Sequence, residues 1–411
     1  MAAVSRGLPR GCSTICLPIG KDLYARLIDS PGQFRRWLDQ AFRDTPELFP
    51  KAFAQGYTLK DSRVSAKRGL RLRRIRCKAT GAAFTIRPSF VMPYLSGWTE
   101  SIAGPLFLRA FGVPFWALAH VFGRDPMYWY RLEVGLGRNR LVGTTVRHAP
   151  LPEHLVADEH HQPRDGTKNY IATTVGAGCC LGAALSPSAG GADLQAAYGV
   201  FQQEARDVQG DYTPATVNTD GWAATQQAWR TLFPLVVVLR CFLHGWLSIR
   251  DRAKHLGELF AALAEKVWDA YHAPDRRCFA QRLRRLLEWS GRQVMSTWVL
   301  EQVRKLCGRS REYSQAYAHP GGHRTSNMLD RVMRAMNRYF DDGQHLHGTQ
   351  EACDRHCRAW ALLHNFRPWH PATARGNGGY RSPAERLNQR CYHDNWLHNL
   401  LLSASLAGFR R

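Results

Sequence analysis

Two aspartates directly follow predicted strands in the middle of the chain. Asp158 comes after residues 155–157, and Asp220 comes after residues 217–219 and before Gly221. An acid is a poor choice for a strand core, whereas the ends of strands in an α/β sheet meet a crevice lined by loops. We therefore expect both carboxylates to leave the ends of strands and to be available for chemistry.

A third acid, Asp330, falls in the first turn of a predicted helix, after the candidate capping residues Ser326 and Asn327. Carboxylate oxygens are the ligands that Mg²⁺ prefers. Two such ions about 3.5–4 Å apart can activate a nucleophile and stabilise the leaving oxygen of a phosphodiester. Three acids are a minimal set for holding that pair of ions.

Each of these acids alone also has a purely structural interpretation. Asp220 precedes a glycine, which is common turn chemistry, and Asp330 would complement the dipole at the start of its helix. Arg331, Arg334 and Arg338 on the same helix favour a functional role, because they suit a phosphate backbone that passes nearby.

Residues 148–244 predict the elements that would position the two strand acids. Apolar runs and helical periodicity indicate three strands, a helix, a strand, a helix and a further strand, with Asp158 ending the first strand and Asp220 the fourth. This order is typical of an α/β unit with a mixed sheet. Residues 245–318 are predicted to be an all-helical insertion, and residues 319–411 would complete the unit and end in helices.

Residues 1–64 predict a helical N-terminal region, and residues 65–147 predict a small α+β region. In the second region, two runs rich in β-formers flank residues 78–81, which indicates a hairpin with a glycine in its turn. Four arginines on the first strand of this hairpin are candidates for phosphate contacts: Arg71, Arg73, Arg74 and Arg76. A solvated basic strand is the alternative.

Three predicted helices follow the hairpin within residues 104–140. Asp125 suits the cap of the third helix and Pro126 suits its first turn. The pattern indicates a helix-turn-helix that binds DNA through residues on or after the third helix: Tyr128, Tyr130, Arg131 and Arg138. A purely structural three-helix bundle is the alternative.

The charge balance favours a polyanionic partner. Fifty-six Lys and Arg against 33 Asp and Glu give a net charge of +23, and a surface this positive attracts nucleic acid. A membrane surface and a basic structural protein are the competing interpretations. Because 45% of the residues are hydrophobic, the chain can build a core and is not of the disordered class.

The sequence predicts neither targeting nor a membrane span. The N-terminus lacks the apolar core of a signal peptide, and the apolar stretches 111–122 and 232–247 are too short or are interrupted by Arg240 and His244. Eleven cysteines without a CxxC pair predict reduced thiols rather than a disulfide framework or a zinc ribbon. We expect a soluble, cytoplasmic protein.

Five motifs together resemble elements of ribonuclease H-like DDE transposases of bacterial insertion sequences, in particular the Mutator type. The motifs are Asp220-Gly221-Trp222, Cys241-Phe242-Leu243-His244, Ser326-Asn327-Met328-Leu329-Asp330, His364-Asn365-Phe366-Arg367-Pro368 and Ser382-Pro383-Ala384-Glu385-Arg386. They are similar, in turn, to the DG, C-x-x-H and SNxxE elements and to two C-terminal elements of that group. The resemblance covers residues 65–411.

This resemblance implies a ribonuclease H-like mixed sheet with an all-helical insertion, preceded by a DNA-binding hairpin and helix-turn-helix. It implies that Asp158, Asp220 and Asp330 hold two Mg²⁺ ions, which Mn²⁺ can replace, and that Cys241 and His244 support the site. The implied activity is cleavage of the ends of a mobile element and strand transfer into target DNA. The implied assembly is a homo-oligomer in a synaptic complex at the bacterial nucleoid.

The sequence departs from this family at two places. Asp330 stands where Glu is usual, so Glu385 or Glu351 is an alternative third ligand. Cys77 stands without a partner at a hairpin where relatives often carry a zinc ribbon. Three residues that follow Asp158 are further candidate ligands: Glu159, His160 and His161.

Other residues whose side chains could bind a metal ion or a base are expected to lie in the core instead. They are Cys353, Cys357, Trp222 and Trp246, of which the tryptophans alternatively stack on a flipped base. Two alternative functions also stay open at this point. One is a non-catalytic, sequence-specific DNA-binding protein derived from a transposase, and the other is a Mg²⁺-dependent nuclease or resolvase that cuts without joining.

Overall fold

The computed structural model describes residues 12–66, 68–342 and 346–410. The first four strands form one mixed sheet: β1 (Thr14–Leu17), β2 (Tyr57–Ser65), β3 (Leu70–Cys77) and β4 (Ala83–Pro88). Their spatial order is β1-β4-β3-β2, with β1 parallel to β4 and the other neighbours antiparallel. The predicted hairpin is therefore β3–β4, and it forms the centre of a larger sheet.

The N-terminal region is less helical than its sequence predicts. Two helices, α1 (Lys21–Ile28) and α2 (Pro31–Asp44), lie between β1 and β2, so the predicted helical region 1–64 also contains one strand and most of another. The predicted boundary at 64/65 cuts through β2. This strand is at the edge of its sheet and is mostly exposed and polar, so it lacks the apolar alternation that predicts a strand.

Four helices follow this sheet: α3 (Thr99–Arg109), α4 (Phe115–Phe122), α5 (Pro126–Leu136) and α6 (Leu141–Thr145). The predicted cap of α5 is confirmed, because Oδ1 of Asp125 accepts a hydrogen bond from the backbone N–H of Met127 at 2.7 Å. The inner face of α5 is buried and includes Trp129 and Leu132.

The second sheet contains β5 (His154–Arg164), β6 (Thr167–Gly176), β7 (Cys179–Ser186), β8 (Thr216–Thr219) and β9 (Val237–Arg240). Helix α7 (Gly191–Val208) lies between β7 and β8 in the chain, and α8 (Ala223–Leu232) lies between β8 and β9. The predicted succession of elements and the mixed α/β class are thus confirmed. The spatial order is β7-β6-β5-β8-β9, in which β7, β6 and β5 pair antiparallel and β5, β8 and β9 pair parallel.

Two details of the predicted strands are wrong. Asp158 does not end its strand, because β5 continues to Arg164 in pairing with β6. Beyond Asp158 the strand consists largely of polar residues, although its backbone stays paired with β6. A search for apolar periodicity does not reveal such a segment. The fifth strand is short, and the chain is helical from Phe242 onwards.

The rest of the chain is helical. Five helices follow β9: α9 (Phe242–Ala253), α10 (Glu258–Tyr271), α11 (Arg276–Gln293), α12 (Thr297–Gly308) and α13 (Ser310–Ser314). We call these five helices the helical unit. Five more complete the fold: α14 (Asn327–Asp342), α15 (Gln350–Phe366), α16 (Pro371–Gly376), α17 (Pro383–Asn388) and α18 (Trp396–Ser403).

Three clusters of buried apolar side chains hold these elements together. The first joins the first sheet, helices α3 to α6, one face of the second sheet and helices α14, α15 and α18. The second lies between the opposite face of the second sheet and helices α7 and α8. The third lies within the helical unit. The N-terminal region is therefore packed into a common core with the C-terminal helices.

The residues expected in the core are largely found there. Cys353 and Cys357 are buried in the first cluster and Trp246 in the third, whereas Trp222 is partly buried against the second. All eleven cysteines lie among the described residues and all are free thiols, including Cys77. Among the described helices, none combines the length and apolar character that crossing a bilayer requires.

A buried ion pair connects α3 to α5 within the first cluster. Nε of Arg109 donates to Oε2 of Glu133 at 3.0 Å, and the two side chains are 1% and 0% exposed. The guanidinium also lies over the rings of Phe115 and Tyr339, with its Cζ 4.4 and 4.0 Å from their centroids. Nε2 of His356 lies 3.5 Å from the other oxygen of Glu133. Helices α3, α4, α5, α14 and α15 thus meet at one charged contact.

We expect Arg109→Met to lower the free energy of unfolding by about 3–5 kcal/mol, because it leaves the Glu133 carboxylate buried without its cation. The change is measured as a shift of the urea denaturation midpoint. Asp251→Asn removes one partner of an exposed pair and serves as the control, with a change within about 0.5 kcal/mol. Equal effects of the two substitutions would contradict the assigned role of the buried pair.

Candidate functional site

The register of the second sheet brings two of the predicted acids to the same level. Val156 of β5 is paired with Asn218 of β8 in parallel. Asp158 and Asp220 each lie two residues further along, so Asp158 within β5 and Asp220 directly after β8 lie side by side. Parallel neighbours are about 4.8 Å apart, and residues two positions apart share one face of a sheet. Asn218 is in turn paired with Leu239, which places Cys241 at the same level beyond β9.

Alternation along β5 separates Asp158 from its neighbour Glu159. Val156, on the face of Asp158, packs into the first core cluster, whereas Leu155, on the face of Glu159, packs into the second. Oε1 of Glu159 accepts hydrogen bonds at 2.7 Å from the hydroxyls of Tyr198 and Thr225, which lie on α7 and α8. Glu159 is therefore held on the opposite side of the sheet from Asp158.

A tight turn directs Asp220 after the end of β8. Its Oδ1 accepts a hydrogen bond from the backbone N–H of Trp222 at 2.7 Å. Gly221 has a φ of +99°, and a Cβ at this position would lie 2.3 Å from a guanidinium nitrogen of Arg240. Arg240 itself is held by Glu312 of the helical unit at 2.6 Å. The glycine is required both by the backbone conformation and by the close approach of this arginine.

After the helical unit, residues 319–326 return across the second sheet. Nδ2 of Asn218 donates to the carbonyl oxygen of His323 at 2.8 Å, and the N–H of Phe242 donates to the carbonyl oxygen of Arg324 at 3.0 Å. A Cβ on Gly322 would lie 2.8 Å from Cδ1 of Leu239. The returning backbone thus lies directly on β8 and β9, on the face that carries Asn218 and Asp220.

Ser326 connects the returning segment to the third acid. Its backbone N–H donates to Sγ of Cys241 at 3.2 Å, and this thiol in turn donates to Oγ of Ser326 at 3.4 Å. The Ser326 hydroxyl donates to Oδ2 of Asp330 at 3.2 Å. Asp330 lies in the first turn of α14, as predicted, and α14 packs against β5. Cys241 and Ser326 therefore position the start of α14 beside the sheet.

The pKa of Asp158 responds to burial and to both of the other acids. Burial raises this pKa to about 6, and the charges of Asp220 and Asp330 act in the same direction. The N–H of Glu159, which donates to Oδ1 of Asp158 at 2.8 Å, and the charge of His244 act in the opposite direction. Asp220 and Asp330 therefore both lie within electrostatic reach of Asp158.

His244 provides a positive charge beside these carboxylates. Its pKa is raised to about 9, first by the adjacent Cys241 thiol and also by Asp158 and Asp220, although burial opposes the shift. Burial acts to raise the pKa of Cys241, but contact with His244 and Ser326 lowers it below the usual range of a thiol. His244 is consequently protonated at neutral pH and partly offsets the repulsion among the acids.

The carboxylate oxygens of these acids suit a hard divalent cation, although their present arrangement is not that of a complete metal site. Within the described parts of the chain, no three His, Cys, Asp or Glu side chains form a group ready to hold a metal ion. Asp158, Asp220 and Asp330 nevertheless supply carboxylate oxygens, the preferred ligands of Mg²⁺, around one region of raised carboxyl pKa. A cation bound among them would relieve their mutual repulsion.

The alternative ligands lie elsewhere. Glu385 pairs with Arg381 at 3.3 Å, and Glu351 pairs with Arg355 on the exposed surface of α15. Asp330, by contrast, is among the charges that raise the pKa of Asp158. The two histidines that follow Glu159 also have other contacts. His160 forms a hydrogen bond with Gln162, and the ring of His161 lies against Tyr170.

Most of the arginines predicted to contact phosphates on the hairpin are used within the fold. Arg71 pairs with Asp29 at 2.6 Å, and Arg74 pairs with Asp61 through two nitrogens. Arg73 donates to the carbonyl oxygen of Ile28. The exposed Arg76, for which no such contact is found among the described residues, is the remaining candidate for a phosphate contact on β3.

The predicted helix-turn-helix differs from a groove-reading motif. Its third helix, α5, packs its inner face against α15, so a large part of its surface is inaccessible to DNA. The four residues proposed to bind DNA from this part of the chain instead line one cavity: Tyr128, Tyr130, Arg131 and Arg138. On α14, by contrast, Arg331 and Arg334 are exposed next to Asp330, as a phosphate contact requires.

Sequence reasoning missed the role of Asn218 and gave Ser326 only the role of a helix cap and motif residue. Asn218 holds the returning segment, and the Ser326 hydroxyl contacts Asp330 rather than acting only as a predicted helix cap. A signal for Asn218 was present: Thr216, Asn218 and Asp220 alternate along one strand, so one of its faces is entirely polar. Polar residues at a period of two in a buried strand indicate a functional face.

A scan against models of known protein families finds none that matches this chain, and a search of curated proteins finds no relative.

In a buffer that contains a chelator, we expect Asp158→Asn to raise the free energy of unfolding at neutral pH. The pKa of this carboxyl rises from 3.8 to about 6 on folding, so its ionisation costs stability above pH 6. The gain should be about 2–3 kcal/mol at a pH near 7.5 and should disappear below about pH 4, where the wild-type carboxyl is protonated in both states. Urea denaturation at a series of pH values measures it.

Asp211→Asn, at an exposed position just before β8, is the matched control and should show no such pH dependence. A gain from Asp158→Asn that is the same in acid and at neutral pH would show that packing, and not the charge of the neighbouring carboxylates, is responsible.

Proposed function

We propose that this protein is a DNA transposase that cleaves the ends of a mobile element and transfers the freed strands into target DNA. The observation that carries this proposal is that Asp158 and Asp220 lie side by side on neighbouring strands of the second sheet, and that the charges of both Asp220 and Asp330 act on Asp158. A site with three carboxylates on a chain with a net charge of +23 suits a reaction at a polyanionic phosphodiester backbone.

The arrangement of the second sheet supports a ribonuclease H-like catalytic unit. Three antiparallel strands are followed by two parallel strands, with one acid on the first strand and another directly after the fourth. The helical unit is inserted between β9 and α14, and α14 carries the third acid. This combination is similar to that of the DDE transposases whose motifs the sequence resembles.

Asp158, Asp220 and Asp330 are the residues that would hold two Mg²⁺ ions. Bound there, such ions activate the attacking oxygen and stabilise the leaving oxygen of a phosphodiester. Asp330 is short by one methylene relative to the glutamate usual in the family. The contacts of Cys241 and Ser326, which draw the start of α14 towards the sheet, supply a reason why the shorter side chain suffices.

The protein's own groups have distinct tasks in this proposal. Ser326 orients Asp330 through its hydroxyl, and the turn at Gly221 orients Asp220. His244 carries a positive charge that stabilises the ionised carboxylates before DNA or cations arrive. Cys241 holds both His244 and Ser326, so the C-x-x-H element acts as a support for the acids and not as a zinc site.

Exposed basic side chains provide the route for DNA. Arg331, Arg334 and Arg338 are exposed on the helix that carries Asp330. The helical unit adds further exposed arginines on α11: Arg276, Arg277, Arg284, Arg285 and Arg292. Such side chains neutralise phosphates and make binding strongly dependent on salt. They would hold the element end along the helical unit, with the protein acting as a homo-oligomer in a synaptic complex in the bacterial cytoplasm.

Two displacements at phosphorus make up the reaction. Water attacks the phosphodiester at the element end, which breaks the bond to the 3′-oxygen and frees a 3′-hydroxyl and a 5′-phosphate. The 3′-hydroxyl then attacks a phosphodiester of the target DNA, forms a new bond to phosphorus and displaces a target 3′-hydroxyl. The same carboxylates serve both steps, because the attacking and leaving oxygens occupy equivalent positions.

One observation favours a second candidate, a non-catalytic DNA-binding protein derived from such an enzyme. In the parts of the chain that the structure describes, the acids do not form a ready group of three metal ligands. A chain that had lost catalysis would keep its basic surface and its fold without binding divalent ions. The two candidates therefore differ in metal binding and strand cleavage, not in DNA binding.

Incubation with Mg²⁺ or Mn²⁺ and labelled duplexes from the DNA that flanks the coding sequence should give nicked and joined products. Asp220→Asn and Asp330→Asn should each lower the rate by at least about 10³-fold, because each removes a charged ligand of the proposed metal pair. Denaturing gel electrophoresis separates cleavage from joining. The control variant Asp211→Asn should react like the wild type.

Binding without nicking in either metal would reject the transposase in favour of the DNA-binding protein. Cleavage without joined product would indicate a nuclease instead.

Divalent cations should also stabilise the wild-type protein without any DNA. Ligand binding at 100 times its dissociation constant adds about 2.7 kcal/mol to the free energy of unfolding. We therefore expect Mg²⁺ or Mn²⁺ to raise the melting temperature of the wild type, and we expect a smaller rise or none for Asp220→Asn. Thermal denaturation with and without a chelator measures this difference. Equal shifts in both proteins would place the binding of cations elsewhere.

A further inference from the structure

A cavity of about 510 Å³ opens between α5, the start of α15 and residues 92–96. This volume lies within the range of about 300–1,000 Å³ that is typical of small-molecule pockets. Its walls include three tyrosines, Tyr94, Tyr128 and Tyr130, and buried apolar residues such as Met92 and Leu136 form part of its lining. The lining of the cavity therefore combines aromatic side chains with buried apolar residues.

Three arginines complete the lining: Arg131, Arg138 and Arg355. Arg138 lies over the ring of Tyr94, with its Cζ 4.9 Å from the ring centroid. Arg355 pairs with Glu351, whereas Arg131 and Arg138 form no ion pair within the described residues. No acidic side chain is among the described residues of the lining. The cavity is thus both aromatic and cationic.

Tyr94, which lines this cavity, has an unusual backbone conformation. Its φ and ψ are 59° and 17°, in the left-handed region that non-glycine residues seldom adopt, and its side chain is 63% exposed. A large exposed aromatic residue in a strained conformation gains little from packing. Such outliers persist where the surrounding structure imposes them, often at ligand sites.

We propose that this cavity accepts one unpaired base of a DNA strand, which stacks on the tyrosines while Arg131 and Arg138 contact the adjoining phosphates. Stacking of a base on an aromatic side chain is tolerant of sequence, and arginine adds a cation–π contribution. Extrusion of a base costs least where the base is already unpaired. The inference rests on the proposed function, since it assumes a DNA substrate, and it adds a separate binding site for a distorted strand.

Three duplexes of the same sequence test this inference: one fully paired, one with a single bulged base and one with a bulged abasic nucleotide. The two bulged duplexes have the same number of backbone phosphates and differ in the base that can stack. In a chelator-containing buffer, fluorescence anisotropy should show that the wild type binds the bulged base about tenfold more tightly than the abasic bulge, as expected for one stacked base.

Tyr94→Gly should lower this ratio, because it removes the most exposed of the three rings. Glycine also suits a φ of 59°, so this variant should fold, which its melting temperature checks. Tyr94→Phe keeps the ring and should keep the ratio. Arg131→Gln is a second, exposed variant that should reduce the slope of log affinity against log salt by about 0.9 for the bulged-base duplex.

Equal wild-type affinities for the two bulged duplexes, or an unchanged ratio in Tyr94→Gly, would overturn the base-binding site. Either result would leave the proposed transposase intact if strand cleavage is observed. Failure to bind all three duplexes would instead overturn the DNA-directed function itself, and the base-binding site with it.

Discussion

The attachment of residues 319–326 to the second sheet is the contact on which the arrangement of the site depends. The hydrogen bonds from Asn218 and Phe242 to this segment hold the chain after an excursion of more than 70 residues through the helical unit. A flexible loop of that length would leave Asp330 free to occupy many positions. The helical unit has its own apolar core, so it can return the chain to a defined point on the strands. The contacts of Ser326 then set the start of α14.

The same site contains buried carboxyl groups whose ionisation lowers the stability of the fold. Burial and the neighbouring acids raise the pKa of Asp158, so its ionised form is held at a cost in stability. The charge of His244 offsets part of this cost. Cys241, which raises the pKa of His244, also accepts a hydrogen bond from Ser326. Glu159, on the opposite face of β5, is a second buried carboxyl, and burial raises its pKa to about 7. A fold selected only for stability would place apolar side chains at these positions.

In the N-terminal region, some arginines form contacts within the fold and others remain available for a partner. Arg71, Arg73 and Arg74 hold β3 to its neighbours, although their spacing alone suggests a surface for phosphates. Likewise, α5 is fixed by the buried pair of Arg109 and Glu133, so its tyrosines and arginines face a cavity instead of an open groove. Net charge therefore predicts the class of partner, whereas the contacts of each arginine decide where a partner can bind.

The sequence by itself determined the mixed α/β class, the order of elements from β5 to β9 and the helical nature of the unit that follows. These features depend on local periodicity, which every residue of an element helps to set. It also singled out Asp158, Asp220 and Asp330 by their neighbours in the chain. The tertiary structure alone decided that Asp158 lies within its strand, that β2 joins β3 and that Asp330 lies within electrostatic reach of Asp158. Such pairings depend on register and packing between segments distant in sequence, which local periodicity cannot encode.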